Sequence, residues 1–470
     1  MPVPILGNAI AFALEDPPNY FVNWRKQFGD IYTFWAGEMP IVCINDVKTI
    51  NEKFVKDGDT FAGRAQITEL FEITRHGQQG IIFEEGDPWR THRRFALRVF
   101  RDFGFGKNLM QEKIMDEFAY LMETVKSNNE KGIKDHSIQD YVDLAVGSVI
   151  NNLLFGFRCS ENKVEDFKEQ KSIIGAVIKD FGNPAAVVMI YRAHIFRHFP
   201  FFSTVYYRMI ENRDKTWDYF RKNVEKRKAL IDFDSDSEPV DYVEAFLRKQ
   251  KEMEKSGETH YFTDHHLYSI LWDLWFAGQE TTSNTIAWAC VYLIKNQECQ
   301  KRLQSELTKV IGSDRLITVE DKTNLPYLNA VIAESQRCAN LLNSNVLHRT
   351  LEDTIVHGYN IPKHTVIINQ ISSVLYDERY FPEPMSFKPE RYLKENNVFE
   401  WPEALMPFGV GKRSCLGESL ARMELFLFIS NLFNQFELSE NPEKPIDEKR
   451  YFGGTISPHP FTCVMKSRSF

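Results

Sequence analysis

Apolar residues change their spacing several times along the chain. Near the start, Ile31-Tyr32-Thr33-Phe34-Trp35 and Pro40-Ile41-Val42-Cys43-Ile44 read as short strands around turn residues Gly37 and Asn45-Asp46, which predicts a small sheet lobe. From about Trp89 to Leu342 apolar positions recur at three and four residues, interrupted by Gly and Pro stops, and this predicts a mainly helical body. Within it, Thr263-Asp264 supplies cap residues for a run without Pro as far as Lys295. At the helical rise per residue such an element spans roughly 50 Å, enough to cross the molecule. Strand-like runs return at Thr354–Tyr359 and His364–Ile368, with Gly358 and Pro362 suited to a hairpin between them. A helix follows the glycine-rich stretch around Cys415, and Gly453-Gly454 with Pro458 predicts a closing hairpin.

Length alone, 470 residues, would accommodate several ordinary domains. No stretch reads as a linker, a repeat or low complexity, so residues 1–470 are read as a single domain. The hydrophobic share of 43%, with 37 Phe, is enough to build a large core around an apolar group. Seven scattered cysteines without a C-x-x-C pair argue against a disulfide framework and a zinc ribbon, and for a reducing compartment. A net charge of −8 argues against general nucleic-acid binding.

Two segments carry chemistry. The first is Phe408-Gly409-Val410-Gly411-Lys412-Arg413-Ser414-Cys415-Leu416-Gly417, ahead of the helical run from Glu418. A cysteine between an arginine and a helix N-terminus is placed to carry negative sulfur. Gly411 and Gly417 let the backbone approach something flat and bulky. A thiolate on haem iron pushes electron density toward the metal and favours O–O cleavage. The second is Ala277-Gly278-Gln279-Glu280-Thr281-Thr282, midway along the long predicted helix. Ala277 and Thr281 share a face, the small Ala-Gly pair leaves room for a ligand, and a Thr hydroxyl there can bond the carbonyl four residues back. An acid beside an alcohol makes a proton relay. The same residues also fit an ordinary core helix with a surface Glu and a back-bonded Thr.

The pattern Phe-x-x-Gly-x-Arg-x-Cys-x-Gly fixes five positions (Phe408, Gly411, Arg413, Cys415 and Gly417). Average residue usage puts its chance occurrence at about one in ten thousand. It is the signature of haem-thiolate monooxygenases, and the chain resembles the cytochrome P-450 family, in particular its microsomal, vertebrate family-2-like clan. Residues 277–282 match that family's Ala/Gly-Gly-x-Asp/Glu-Thr-Thr/Ser, Glu334 and Arg337 its Glu-x-x-Arg, and Trp89 and Arg93 its Trp-x-x-x-Arg. Phe387–Tyr392 matches its second arginine motif, with Tyr392 where Phe is commoner. The likeness covers nearly the whole chain.

The resemblance implies the cytochrome P-450 fold, mainly α with small β-sheet lobes. It implies haem b (iron protoporphyrin IX), with Cys415 as axial ligand to the iron and Thr281 and Glu280 as the oxygen-activating pair. Phe408, Gly411, Gly417 and Ala277 would line the cofactor. Trp89, Arg93, Arg413, His348 and Arg64 would hold the propionates, although His348 also fits a satisfied core histidine. Glu334, Arg337 and Arg391 would form a buried structural network before Cys415. NADPH and flavins would act only through a partner, NADPH–cytochrome P-450 reductase, with cytochrome b5 as a further donor. The expected substrate is small and lipophilic, xenobiotic or resembling a fatty or organic acid.

Two surface features fit that setting. Arg90, Arg94, Arg98 and Arg101 form one stripe on the Trp89 helix, extended by Lys107, and suit an acidic flavoprotein. Pro184–Tyr207 is apolar and aromatic with interspersed Arg, as in a segment that dips into a membrane surface. No run of about 18 apolar residues exists to span a bilayer. Pro2–Asn8 resembles the hinge that follows an N-terminal membrane anchor, so an anchor upstream of residue 1 and the cytoplasmic face of the endoplasmic reticulum are expected. A substrate pocket would draw on residues 67–82, 271–281, 341–347 and 453–458. Two other classes stay open: a haem-thiolate isomerase or dehydratase acting on peroxides, which would not need Glu280 and Thr281, and a haem-binding sensor without turnover.

Overall fold

The computed structural model describes residues 7–8, 19–104, 108–159, 163–181, 192–342 and 344–469. Expectations for Pro2–Leu6, Lys107 and Pro184–Tyr191 lie outside them. The helical body is built as its spacing predicts. Thr263 caps the long helix by accepting the His266 backbone N–H, and the helix runs Asp264–Lys295 without a break. Its turns from Ile286 to Ile294 are apolar on all sides, and Trp275 and Trp288 are fully buried, as expected of a helix that crosses a core, while the stretch from Gln279 to Thr285 is polar. Helix Ile138–Phe155 packs closely against it because two glycines allow it. A Cβ on Gly278 would sit 2.4 Å from Ile150 Cδ1, and one on Gly147 would collide with the Phe167 ring. Gly278 was expected to leave room for a ligand, but the space it leaves is filled by Ile150. The helix after Cys415, Glu418–Gln435, lies against the long helix and is buried continuously from Met423 to Gln435.

The largest sheet has the order β1-β2-β8-β5-β3, from Ile31–Ala36, Met39–Ile44, Val366–Asn369, His348–Arg349 and Gly63–Arg64. The β1–β2 hairpin turns at Gly37, whose φ of 60° suits glycine. The expected hairpin at 354–368 needs correction. Its turn falls at His357-Gly358, pairing β6 (Thr354–Val356) with β7 (Tyr359–Ile361). The run containing Ile367-Ile368 is buried on both faces, so it takes a central place beside β2 and β5 instead. The closing hairpin forms from β10 (Arg450–Phe452) and β11 (Ile456–Pro458). The expected elements do not include β12 (Cys463–Ser467), which pairs with β9 (Phe436–Glu440) and β4 (Asp135–His136).

Helix Pro326–Ala339 carries the expected ionic network. Arg337 grips Glu334 through two hydrogen bonds of 2.8 and 2.9 Å, both side chains being fully buried. Arg337 also donates to the carbonyls of Leu375 and Pro384, and Arg391 Nε donates to Glu334 Oε1 at 3.1 Å. The Tyr392 hydroxyl completes the set at 2.9 Å from Glu334 Oε2, so the departure from Phe adds a donor. These bonds pin the segment 382–392 to the core ahead of the cysteine loop.

Glu334→Gln leaves two guanidinium groups without a counter-charge and is expected to cost about 3–5 kcal/mol. Tyr392→Phe removes one bond to a carboxylate and is expected to cost about 1.5–3 kcal/mol. Denaturant midpoints of the two variants check this order, and a Tyr392→Phe loss equal to that of Glu334→Gln would contradict it.

Candidate active site

The Phe408–Gly417 loop doubles back on itself, with the Cys415 backbone N–H donating to the Phe408 carbonyl at 2.8 Å. Gly411 sits at φ 74°, and a Cβ there would lie 1.8 Å from the Phe54 carbonyl oxygen. Its glycine therefore admits the protein's own backbone, not a flat ligand as the sequence suggested. Gly417 behaves as expected, since a Cβ there meets nothing within 4 Å. The Phe408 ring lies 4.8 Å from the Arg422 guanidinium. Cys415 is exposed by surface area yet enclosed by protein, so its thiol faces an internal space.

The expectation of a self-sustained thiolate is corrected. Burial pushes the Cys415 thiol up, and although the Gly417 N–H and Arg93 pull it down, burial prevails. The arginine that reaches the sulfur electrostatically is Arg93, not the neighbouring Arg413. A thiolate here needs a cation on the sulfur, which is what an iron ligand has.

Above the loop lies a cluster of buried cations. Strands β3 and β5 place Arg64 directly opposite His348. Arg93, on helix Gly86–Asp102, donates to the Ser414 carbonyl at 2.6 Å. Arg413 donates to the carbonyls of Ala62 and Glu84, both at 2.8 Å, and its guanidinium stacks 3.5 Å from the Trp89 ring centroid. Burial and the neighbouring Arg64 and Arg93 push Arg413 down to about 8, and burial with Arg93 pushes Arg64 down to about 9. His348 gives its Nδ1 to the Phe61 carbonyl at 2.7 Å and is held neutral by burial and by Arg64. Among the described residues, Trp89 Nε1 and Arg413 Nη1 are buried without a partner. Three guanidiniums and two orphan donors beside an enclosed thiol fit a group bearing two carboxylates and a metal, as haem does. Residues expected as propionate partners are thus brought together, with Arg93 committed partly to the loop itself.

On the long helix, Thr281 Oγ1 donates to the Ala277 carbonyl at 2.6 Å, the back-bonded state foreseen. Glu280 points away from this bond. Burial raises its carboxyl, while Lys171 and Asn284 oppose the rise and Asp143 adds to it. The structure therefore brings Glu280 to neighbouring helices and not to a direct contact with Thr281.

Three groups escaped the sequence reading. Arg75 and Asp273 form a fully buried pair, and Asp273 also accepts the N–H groups of Ile81 and Ile82, tying that segment to the long helix. Tyr392 is the second. Glu424, nine residues beyond Cys415, is the third. Its one visible signal is a charge inside the apolar run from Leu420. Burial pushes it up to about 8, while Thr282 Oγ1 at 3.4 Å opposes the rise. The four segments expected around a pocket do meet along the long helix. Asp273 holds 81–82, Asn284 donates to Thr455, and Ile456 N–H donates to Leu341 O.

Trp89→Phe keeps an aromatic face for Arg413 but removes the orphan N–H. It is expected to weaken haem retention about tenfold or more, the worth of one buried hydrogen bond to a charged group, read as the haem-to-protein absorbance ratio after dialysis. For Glu424 the folded group holds a proton that an unfolded glutamate loses from its ordinary 4.5 upward. Its contribution to stability is therefore full below that value and falls as pH rises toward 8, by at most about 1.4 kcal/mol per unit. Glu424→Gln should flatten this fall in denaturation series from pH 5 to 8, and an unchanged slope would show that Glu424 is ionised.

Comparison with known proteins gives the same picture. The cytochrome P450 family profile matches residues 1–463. The chain is 34% identical to cytochrome P450 2B19 of Mus musculus over 93% of its own length and 86% of that protein. It is 31% identical to cytochrome P450 2M1 of Oncorhynchus mykiss over 100% of its length and 91% of that protein, and 31% identical to mouse cytochrome P450 2F2 over 99% and 93%.

Proposed function

The chain belongs to the cytochrome P450 family and is a haem-thiolate monooxygenase, and from that premise we propose that it oxygenates small lipophilic molecules with electrons passed from NADPH through a flavoprotein reductase. The carrying observation is the close cluster of Arg64, Arg93 and Arg413, offset only in part by Glu84 and Glu85, with orphan donors on Trp89 and Arg413, set over the thiol of Cys415. Cys415 ligates iron as the thiolate. Trp89 Nε1 and Arg413 Nη1 would hold the propionates, with Arg64 and His348 alongside. When bound, the haem supplies dioxygen activation, one oxygen atom going to the substrate and the other, with two electrons and two protons, to water.

The protein's own part in proton delivery rests on the long helix. Thr281 holds its hydroxyl in place through Ala277 O, and Glu280 is an acid whose raised proton affinity suits it to resupply protons. Its neighbour Asn284 in turn donates to the Thr455 hydroxyl at 3.1 Å, which holds that amide in place beside the acid. The buried side chains of Leu271, Trp272 and Trp275 flank this stretch, and the buried Arg75–Asp273 pair fixes the 80–82 segment beside it.

The partner and the setting follow from surface chemistry. Arg90, Arg94, Arg98 and Arg101 are all exposed on the Trp89 helix and suit an acidic diflavin reductase, with cytochrome b5 as a second donor. Ile195, Phe199, Phe201 and Tyr207 are exposed near a helix start and suit a membrane surface, which supports a setting at the endoplasmic reticulum. Among the described residues no helix is long and apolar enough to cross a membrane.

Turnover of a lipophilic panel with NADPH and reductase tests this reading. Product should require both, and product formed from peroxide-bearing substrates without reductase would favour the isomerase class instead. Thr281→Ala should keep the haem spectrum while product per NADPH falls about tenfold or more, the usual scale of a lost proton-transfer group. An unchanged ratio would remove Thr281 from the relay.

A further inference from the structure

One turn further along the Trp89 helix a second group of donors converges. His92 is fully buried, and among the described residues neither of its ring nitrogens has a hydrogen-bond partner. Its ring lies 4.8 Å from that of His266, in the first turn of the long helix. His266 Nε2 is 3.1 Å from Glu84 Oε1. One ligand atom from each of Glu84, His92 and His266 lies within 4.8 Å of the others. The rings of Phe246 and Phe262 also pack against His92, with centroids 5.9 and 5.3 Å away. The Tyr261 carbonyl lies close enough to favour the ring proton but not in hydrogen-bond geometry.

We propose that Glu84, His92 and His266 form a binding site for a divalent transition metal of the zinc class, distinct from the haem iron. Two imidazoles and one carboxylate are a zinc-type donor set, with a fourth position left for water. Donors at about 2.1 Å from a tetrahedral ion stand roughly 3.4 Å apart, so the site closes by a movement of about 1–2 Å at the most distant donor. Each donor already has an orienting neighbour. Gly80 N–H reaches Glu84 Oε2 at 3.3 Å, the Thr263 hydroxyl is 2.9 Å from His266 Nδ1, and the Tyr261 carbonyl lies by His92. Glu84 and His266 keep side-chain exposures of 12% and 15%, enough for an ion to reach them from solvent.

The consequence is mechanical. The Glu84 carbonyl holds Arg413, and the adjacent Glu85 carboxylate pairs with Arg349. A metal on Glu84 ties this segment, the Trp89 helix and the start of the long helix together behind the haem anchors.

The test uses tag-free, haem-loaded protein stripped with a chelator and dialysed against zinc alone. At roughly ten micromolar free zinc, one equivalent per chain should bind and the thermal midpoint should rise, since binding to the folded state stabilises it. His92→Leu, which suits the aromatic walls, should keep the haem spectrum, bind zinc at least tenfold more weakly and lose the thermal shift. Uptake of zinc equal to wild type in that variant, or no uptake by the wild type, overturns the site. If His92→Leu fails to load haem, the partly exposed Glu84→Gln takes its place with the same expected loss, and unchanged zinc binding there overturns it equally.

Discussion

Arg64, Arg93 and Arg413 are buried within Coulombic reach of one another beside an enclosed thiol, an arrangement that costs free energy until an anion joins it. Each guanidinium is anchored by carbonyl oxygens, so the charge cannot relax away: Ile82 and Val346 for Arg64, Ser414 for Arg93, Ala62 and Glu84 for Arg413. Trp89 adds a ring against Arg413 and an unpartnered N–H. The thiol has the complementary problem, since burial favours its protonated form. One ligand with a metal centre and two carboxylates resolves both. The fold supports that pocket at three points: the β3–β5 pair, the Trp89 helix and the cysteine loop.

The rest of the molecule keeps those supports in register. The Gly411 turn rests against the Phe54 carbonyl with no room for a side chain, which fixes the loop relative to the N-terminal lobe. The Glu334–Arg337–Arg391–Tyr392 network holds segment 382–392 before the loop. The long helix closes the opposite side and packs on helix Ile138–Phe155 through glycine contacts at 147 and 278. Thr282 meets Glu424 from the helix after the cysteine, so one helix on each side of the pocket shares a buried contact.

Much of this was legible in the residues. The long helix was readable to its end residues because Thr263-Asp264 is a strong cap signal and the apolar run has no breaker. Cys415, Trp89 and Arg413 were readable because motif spacing reflects a fixed loop and a helical turn. What failed were readings that depend on three-dimensional neighbours. Gly411 and Gly278 looked like space for a ligand, yet their close partners, Phe54 and Ile150, are distant in sequence. The ionisation of Cys415 looked settled by its flanking charges, while burial, which sequence does not report, decides it. Strand Val366–Asn369 joined a different sheet from the one its nearest turn suggested. Asp273 and Glu424 were invisible as buried acids because a lone carboxylate in an apolar run carries no pattern.

The central claim is that Cys415 becomes a thiolate by ligating haem iron in this cluster. A carbon monoxide difference spectrum of the reduced protein tests it most directly. The account predicts the strongly red-shifted Soret band of thiolate ligation in the wild type and its loss in Cys415→Ser. A histidine-type band in the wild type, or a red-shifted band that survives Cys415→Ser, would contradict it.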